Sequence, residues 1–408
     1  MESTFGIVFK GYPYFKEKFE KENKDIIKTR LLFKKTLVLR GVEAAEIFYD
    51  QSKFQRKGAT PKRFQKTLFG EGGVQGTDGE AHRKRKHMFM QFMGKEAVDR
   101  IKENFLQLWQ NQLPEWMDAE ELVLFDQVEK ILCMAACNWA GVPLKEGEEK
   151  LRSKQLSRII RSAGAVGVDH YRGRIARKKA EKWIIGFVKE IRSKKQVPGE
   201  NSSILETFSL FRDEKGKLLP EKIVAVEVLN ILRPIVAIAR YITFSALALH
   251  EHPQYKKRLK ADEGLDLLFV HEVRRYYPFF PFVAAQVKED FEWKDEKFPK
   301  GTRVLLDIYA TNHDKRTWVN PAAFYAERFK DWEGSAYNFI PQGGGDHHQN
   351  HRCAGEWITI QITCAAVNFL VKEIDYDVPE QDLKISMNRI PATPKSRFKI
   401  FNVRRSKR

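Results

Sequence analysis

A mainly helical fold, a single large domain with one small β region, is what three features of this 408-residue sequence predict. Residues 104–142 and 148–195 repeat apolar side chains at helical spacing. The stretch 227–249 is apolar nearly all round, the pattern of a helix running through the middle of a core. Strand-like runs come after Pro278, at Phe282–Val287, Phe291–Trp293 and 304–309, separated by turns at 294–297 and 299–301.

In chain order, residues 35–40 read as a short strand and 42–49 as a helix. Glycine-rich turns at 70–73 and 76–79 bracket Val74 and Gln75, and a helix opens near Asp78. Such a loop carries its backbone and Gln75 towards whatever occupies the centre of the molecule. On the helix that follows, His82 and Lys86 stand at i, i+4 and share a face on which an acidic group can be held. The helical patterns of 104–142 and 148–195 are broken by Pro143 and by the glycines of 164–167. Residues 198–203 read as a loop and 212–217 as a turn, and Cys133 and Cys137 share a helix face in an apolar setting that means buried packing.

The helix 227–249 contains Arg233-Pro234. Proline removes a backbone donor and opens the helix locally. An arginine beside that kink, among leucines and isoleucines, needs an anion or water, because a desolvated unpaired guanidinium is very costly. No acidic residue stands at i−3, i−4, i+3 or i+4, so an external anion is a stronger candidate than an internal ion pair. Arg240 lies roughly 10 Å further along the axis and reads as structural.

Seventy-two Lys plus Arg against 54 Asp plus Glu give a formal charge of +18. Nucleic acid is nevertheless disfavoured, because most basic residues alternate with acids along the whole chain and no aromatic-interleaved basic motif is present. The blocks 83–86 and 404–408 are the exceptions, and the second reads as a solvated tail. Uncharged runs are far shorter than a membrane span and the first residues lack a signal pattern, so no integral membrane association and a cytoplasmic location are expected. Four cysteines in apolar contexts exclude a disulfide framework.

The chemistry centres on Phe339-Ile-Pro-Gln-Gly-Gly-Gly-Asp-His-His-Gln-Asn-His-Arg-Cys-Ala-Gly-Glu356 and the apolar run that follows it. Glycines 343–345 imply a backbone passing close to something large and flat. Cys353 falls where the loop meets a helix, whose N–H groups and dipole favour a thiolate, so the thiol should ionise readily and bind a metal. His347, His348, His351 and Cys353 together suit zinc, whereas a lone thiolate on a glycine-rich loop suits haem iron. The loop alone leaves both open.

Glu272 and Arg275 stand at i, i+3 on an expected helix, where they can pair and extend the pair to Arg328 of Ala326-Glu-Arg-Phe329. In this order, ahead of a glycine-rich cysteine loop, these residues resemble the Glu-x-x-Arg and Pro-Glu-Arg-Phe elements of the cytochrome P450 family, with Ala326 in place of the usual proline. The resemblance spans essentially the whole chain and implies the P450 fold, one haem-thiolate domain over 1–408 with 403–408 as a basic tail. It implies haem b, Cys353 as axial iron ligand and Arg352 and Gln342 as cofactor contacts. His82 and Lys86 occupy the places of a Trp-x-x-x-Arg pattern and would hold a propionate, while Glu272, Arg275 and Arg328 are structural.

Ordinary monooxygenases of that family carry an acid–alcohol pair on the central helix. Arg233-Pro234 stands there instead, as in the bacterial fatty-acid peroxygenases, hydroxylases and decarboxylases that use hydrogen peroxide. The eight residues inserted before His351-Arg352-Cys353 resemble the same subgroup; most relatives have arginine where this chain has His351. The resemblance therefore implies a peroxygenase acting on long-chain fatty acids at the α and β carbons, with Arg233, Pro234 and Gln75 catalytic. Arg233 would bind the carboxylate, which acts as base, and Phe69 and Phe279 would line the acyl channel. Alkene formers of the subgroup tend to carry histidine where this chain has Gln75, so decarboxylation should be minor. The alternative is a monooxygenase whose basic surface docks an acidic ferredoxin or flavodoxin.

Overall fold

The structure, a computed structural model, describes residues 2–194, 199, 202–261 and 264–406. Its axis is the helix Glu221–Ala237, which resumes after Ile238 as Ala239–Glu251. Nearly every residue of both halves is buried, as an all-round apolar sequence requires. Pro234 has no N–H to donate, and the interruption follows it as a tight turn in which Ile238 N donates to Ile235 O at 3.0 Å. Helices Leu124–Ala140, Glu149–Arg161 and Gly167–Ser193 pack on the first half. The core they share runs from Tyr12 to Val403 and contains Cys133 and Cys137 at 0% exposure, as their helix face implied.

The expected helix 104–142 is two helices, Lys95–Asp118 and Leu124–Ala140, separated by the strand Glu121–Val123. The strand exists because Leu122 and Val123 pair with Ile400 and Lys399 from the other end of the chain, a contact no local pattern signals. The second helix ends at Gly141, φ 68°, before Pro143 is reached. The break at 164–167 stands where the glycines placed it, between Glu149–Arg161 and Gly167–Ser193.

The strands are β1 Ile26–Leu31, β2 Lys34–Leu39, β3 Phe54–Gln55, β4 Glu121–Val123, β5 Phe282–Val287, β6 Phe291–Trp293, β7 Glu296–Phe298, β8 Arg303–Asp307, β9 Ile374–Asp377 and β10 Lys399–Arg405. Five form a sheet in the order β1-β2-β8-β5-β3, with β2 parallel to β8 and the other pairs antiparallel. The β region therefore draws on the start of the chain as well as on the segment after Pro278. The supposed tail 403–408 is a correction: 403–405 belong to β10, Arg404 lies 3.6 Å from Asp377, and Ser406 N donates to Glu373 O. Residues 407–408 lie outside the described residues, as do 198, 200 and 201 of the expected loop.

Glu272 and Arg275 tie the helix Leu265–Tyr276 to the segment 312–328. Both Arg275–Glu272 bonds are 2.7 Å, Arg328 Nε stands 3.0 Å from the same carboxylate, and Arg275 also donates to the carbonyls of Asn312, Pro321 and Ala323. Glu272 is 0% and Arg275 1% exposed. Glu272→Ala leaves two guanidinium groups without their carboxylate, and denaturant unfolding should show a loss of about 3–5 kcal/mol. A loss under about 1 kcal/mol would mean that the carbonyl partners alone hold the arginines.

Candidate active site

Cys353 stands three residues before the helix Glu356–Asn368. The glycines before it are required by the protein atoms packed against them. Gly343 and Gly345 have φ of 91° and 81°, and a Cβ at Gly344 would meet Ala336 O at 2.6 Å, one at Gly343 Tyr49 Oη at 2.9 Å. The loop is thus folded tightly on itself and on Tyr49. Cys353 N donates to Gln342 O, and Gln342 Nε2 lies 3.7 Å from Cys353 Sγ and 3.0 Å from Thr359 Oγ1.

The expectation that the thiol ionises readily is corrected. Burial first, then the Glu356 carboxylate, pushes its pKa up, against the opposing pull of Lys86, the Gly355 N–H and Gln342. A cation on the sulfur would oppose that rise, adding to the pull of the Gly355 N–H at the helix start.

Glu356 anchors the loop. Its carboxylate, 3% exposed, pairs with Arg274, with Arg352 Nε at 2.7 Å and with His347 Nε2 at 3.0 Å. Burial alone would raise its pKa, but Arg274, His347 and Arg352 outweigh that and hold it well below the usual carboxylate range. Arg274 also donates to Gln342 Oε1 at 3.1 Å. Neither Arg274 nor Glu356 stood out in the sequence, although the first adjoins Arg275 and the second opens a helix. Arg352, expected at the cofactor, spends Nε on Glu356 and Nη1 on Gly345 O.

The histidines do not gather round a metal. His347 stacks on Trp357 at 4.6 Å, His348 is exposed, and His351 stacks on His82 with centroids 3.8 Å apart. Among the described residues no group of three His, Cys, Asp or Glu side chains is placed to hold an ion, which removes the zinc reading. Burial and then Lys86 pull His82 down to about 4, and burial also pulls His351 well below its ordinary value, so both are neutral at pH 7. Lys86 donates to Arg352 O at 2.5 Å, and burial brings it down to about 8.

On the other side, Arg233 is 6% exposed and meets no carboxylate among the described residues. Its Nη2 donates to Asn230 Oδ1 at 3.2 Å, and its Nε has no partner. Burial, followed by the like charge of Arg177, pulls it down to about 9, with the Cys353 sulfur near enough to oppose the shift. The Phe69 ring lies 5.8 Å from the guanidinium. Phe69 is brought there by the turn at Gly70, φ 84°, where a Cβ would strike Arg177 and Val226. Gln75 joins the group through Asn230, whose Nδ2 donates to Gln75 Oε1 at 3.2 Å. Phe279 does not: its ring packs on Tyr241 at 5.0 Å, on the second half of the central helix. Asn230 was missed because only acids were sought around Arg233.

The architecture matches proteins of known structure over its whole length. Cytochrome P450SP alpha (CYP152B1) is 42% identical with a TM-score of 0.97, over 100% of both chains. The chain belongs to the cytochrome P450 family. Cytochrome P450EX alpha (CYP152N1), solved with myristic acid, is 45% identical with a TM-score of 0.96 over 99% of this chain and 98% of that one, which places this P450 in the CYP152 fatty-acid peroxygenase subgroup. The family model for cytochrome P450 matches residues 267–400. The steroid 17-alpha-hydroxylase/17,20 lyase of Squalus acanthias is 30% identical over 116 residues, 27% of this chain and 22% of that protein. The chain spans less than two thirds of the first curated relatives it matches. No described helix is long and apolar enough to cross a membrane.

The cofactor of this P450 is haem b. The residues present fit it: one partly buried thiol with a side-chain donor at its sulfur, no competing ligand cluster among the described residues, and a buried lysine with N–H groups to spare for an acidic substituent.

Proposed function

We propose that this P450 uses hydrogen peroxide to hydroxylate long-chain fatty acids at the α and β carbons. The observation that carries the reading is Arg233, a buried cation beside Pro234 whose protein partners are neutral and whose Nε is unpaired. Burying an unpaired charge costs several kcal/mol, and a carboxylate ligand removes that cost. The resemblance to P450EX alpha, solved with myristic acid, supports the same ligand class.

Cys353 would hold the iron in this reading, with Gln342 at the sulfur, and Lys86 would hold a propionate. Bound haem supplies the redox chemistry of oxygen insertion, which the thiolate promotes. Arg233 fixes the substrate carboxylate, and Phe69 packs beside the guanidinium. That carboxylate is the base that takes a proton from one oxygen of hydrogen peroxide and returns it to the other, so the protein needs no acid–alcohol pair. Holding the carboxylate also holds the α and β carbons at the reacting centre. A cytoplasmic place, with fatty acid and peroxide as the small-molecule partners, belongs to the same reading.

The test is the haem-loaded protein with peroxide and a saturated long-chain acid, analysed by gas chromatography. Hydroxy acids are expected; oxidation only with a reduced ferredoxin or flavodoxin, and none with peroxide, overturns the reading. Gln75→His should raise the alkene share modestly, because histidine donates a proton near neutrality and glutamine does not. Alkene as the main product of the unmodified protein removes Gln75 from control of the branch.

A further inference from the structure

We infer that Glu227, held by Arg85, is a positioning residue that sets the hydrogen-bond polarity of the whole carboxylate site, an inference that rests on the function just proposed. Glu227 lies six residues before Arg233 on the same helix and has 0% exposure. Its Oε2 accepts from Asn230 Nδ2 at 3.1 Å and its Oε1 from Arg85 Nη1 at 3.1 Å. Arg85 reaches in from the helix Gly79–Met90 and also donates to Gly72 O at 2.5 Å, in the loop that carries Gln75.

Each group of this site donates, accepts, or does both. A carboxylate accepts and a guanidinium donates, whereas an amide has one end of each kind. Asn230 lies between Glu227 and Arg233, and one orientation serves both: Nδ2 towards the carboxylate, Oδ1 towards the guanidinium. The same Nδ2 then faces Gln75, so Gln75 must present Oε1 to it. What remains of Gln75 for a ligand is its Nε2, a donor that makes no bond among the described residues. One buried negative charge therefore dictates that Arg233 and Gln75 both offer N–H groups at the site, the polarity an incoming carboxylate and peroxide require. Arg85 pairs with that charge at 3.1 Å; burial leaves the Glu227 pKa raised overall, and the bonds from Asn230 and Arg85 oppose the rise.

Glu227→Gln keeps the size and shape but offers a donor as well as an acceptor, so Asn230 and Gln75 are free to turn over. In the full-length haem-loaded protein this variant should keep its thiolate spectrum, raise KM for a saturated long-chain acid about tenfold with a smaller change in kcat, and alter the α to β product ratio. Glu227→Asp, which retains an acceptor-only group, should recover part of the loss. If Glu227→Gln fails to fold, Asn230→Ser, which removes the amide that transmits the polarity, must produce the same KM rise. Wild-type KM and product ratio in a folded Glu227→Gln or Asn230→Ser protein overturn the inference while leaving the function intact. An unmodified protein that oxidises no fatty acid with peroxide overturns the function and the inference with it.

Discussion

Cys353→Ala is expected to abolish both peroxide-driven turnover and the thiolate-type absorption of the ferrous carbon monoxide complex. Among the described residues the loop offers no second ligand set: Gln342 contributes an amide, Lys86 donates to a carbonyl, His351 stacks on His82 and His347 on Trp357. Because burial and Glu356 disfavour the free thiolate, the iron and the sulfur charge stabilise each other, and removing one removes the reason for the other. His351→Ala should keep the band, since that ring stacks on His82. A band that survives Cys353→Ala and disappears in His351→Ala would assign the iron to histidine instead.

Arg233→Ala should retain haem and its thiolate band yet lose fatty-acid turnover with peroxide by about a hundredfold or more, the scale of truncating one partner of a buried charge pair. The loss should appear in kcat/KM, because Arg233 both binds the carboxylate and aims it as the base. Arg233→Lys should restore little, since an ammonium cannot reproduce the planar fork that holds a carboxylate bidentately. Fatty alcohols of the same length provide the control. If they are oxidised with peroxide as fast as the acids, the substrate carboxylate is not the base and Arg233 has another role.

Glu272, Arg275 and Arg328 were legible because Glu272 and Arg275 lie on one helical face and Arg328 follows a recognisable order, and the three meet as expected. The Arg233-Pro234 pair was legible for a different reason. An arginine in an apolar helix with no acid one turn away has to find an anion from outside the helix, and among the described residues the buried guanidinium hydrogen-bonds only to Asn230. The glycines 343–345 were legible as a close-packing constraint, and the Tyr49 side chain and the Ala336 carbonyl press on them.

Sequence by itself determined the helical class, the cysteine at the loop–helix junction, the buried arginine and the family resemblance, all of which rest on residue type and short-range spacing. Tertiary structure alone decided that β4 interrupts a helical pattern, that the histidines of the loop disperse, that Phe279 joins Tyr241 rather than Arg233, and that Glu356 and Arg274 hold the cysteine loop. It also decided that Arg85, Glu227 and Asn230 form one chain ending at Arg233, with Gln75 joined to it at Asn230. The physical reason is reach: helical periodicity is written within about four residues, whereas a hydrogen bond or a burial penalty depends on which distant segments the folded backbone brings within about 3 Å.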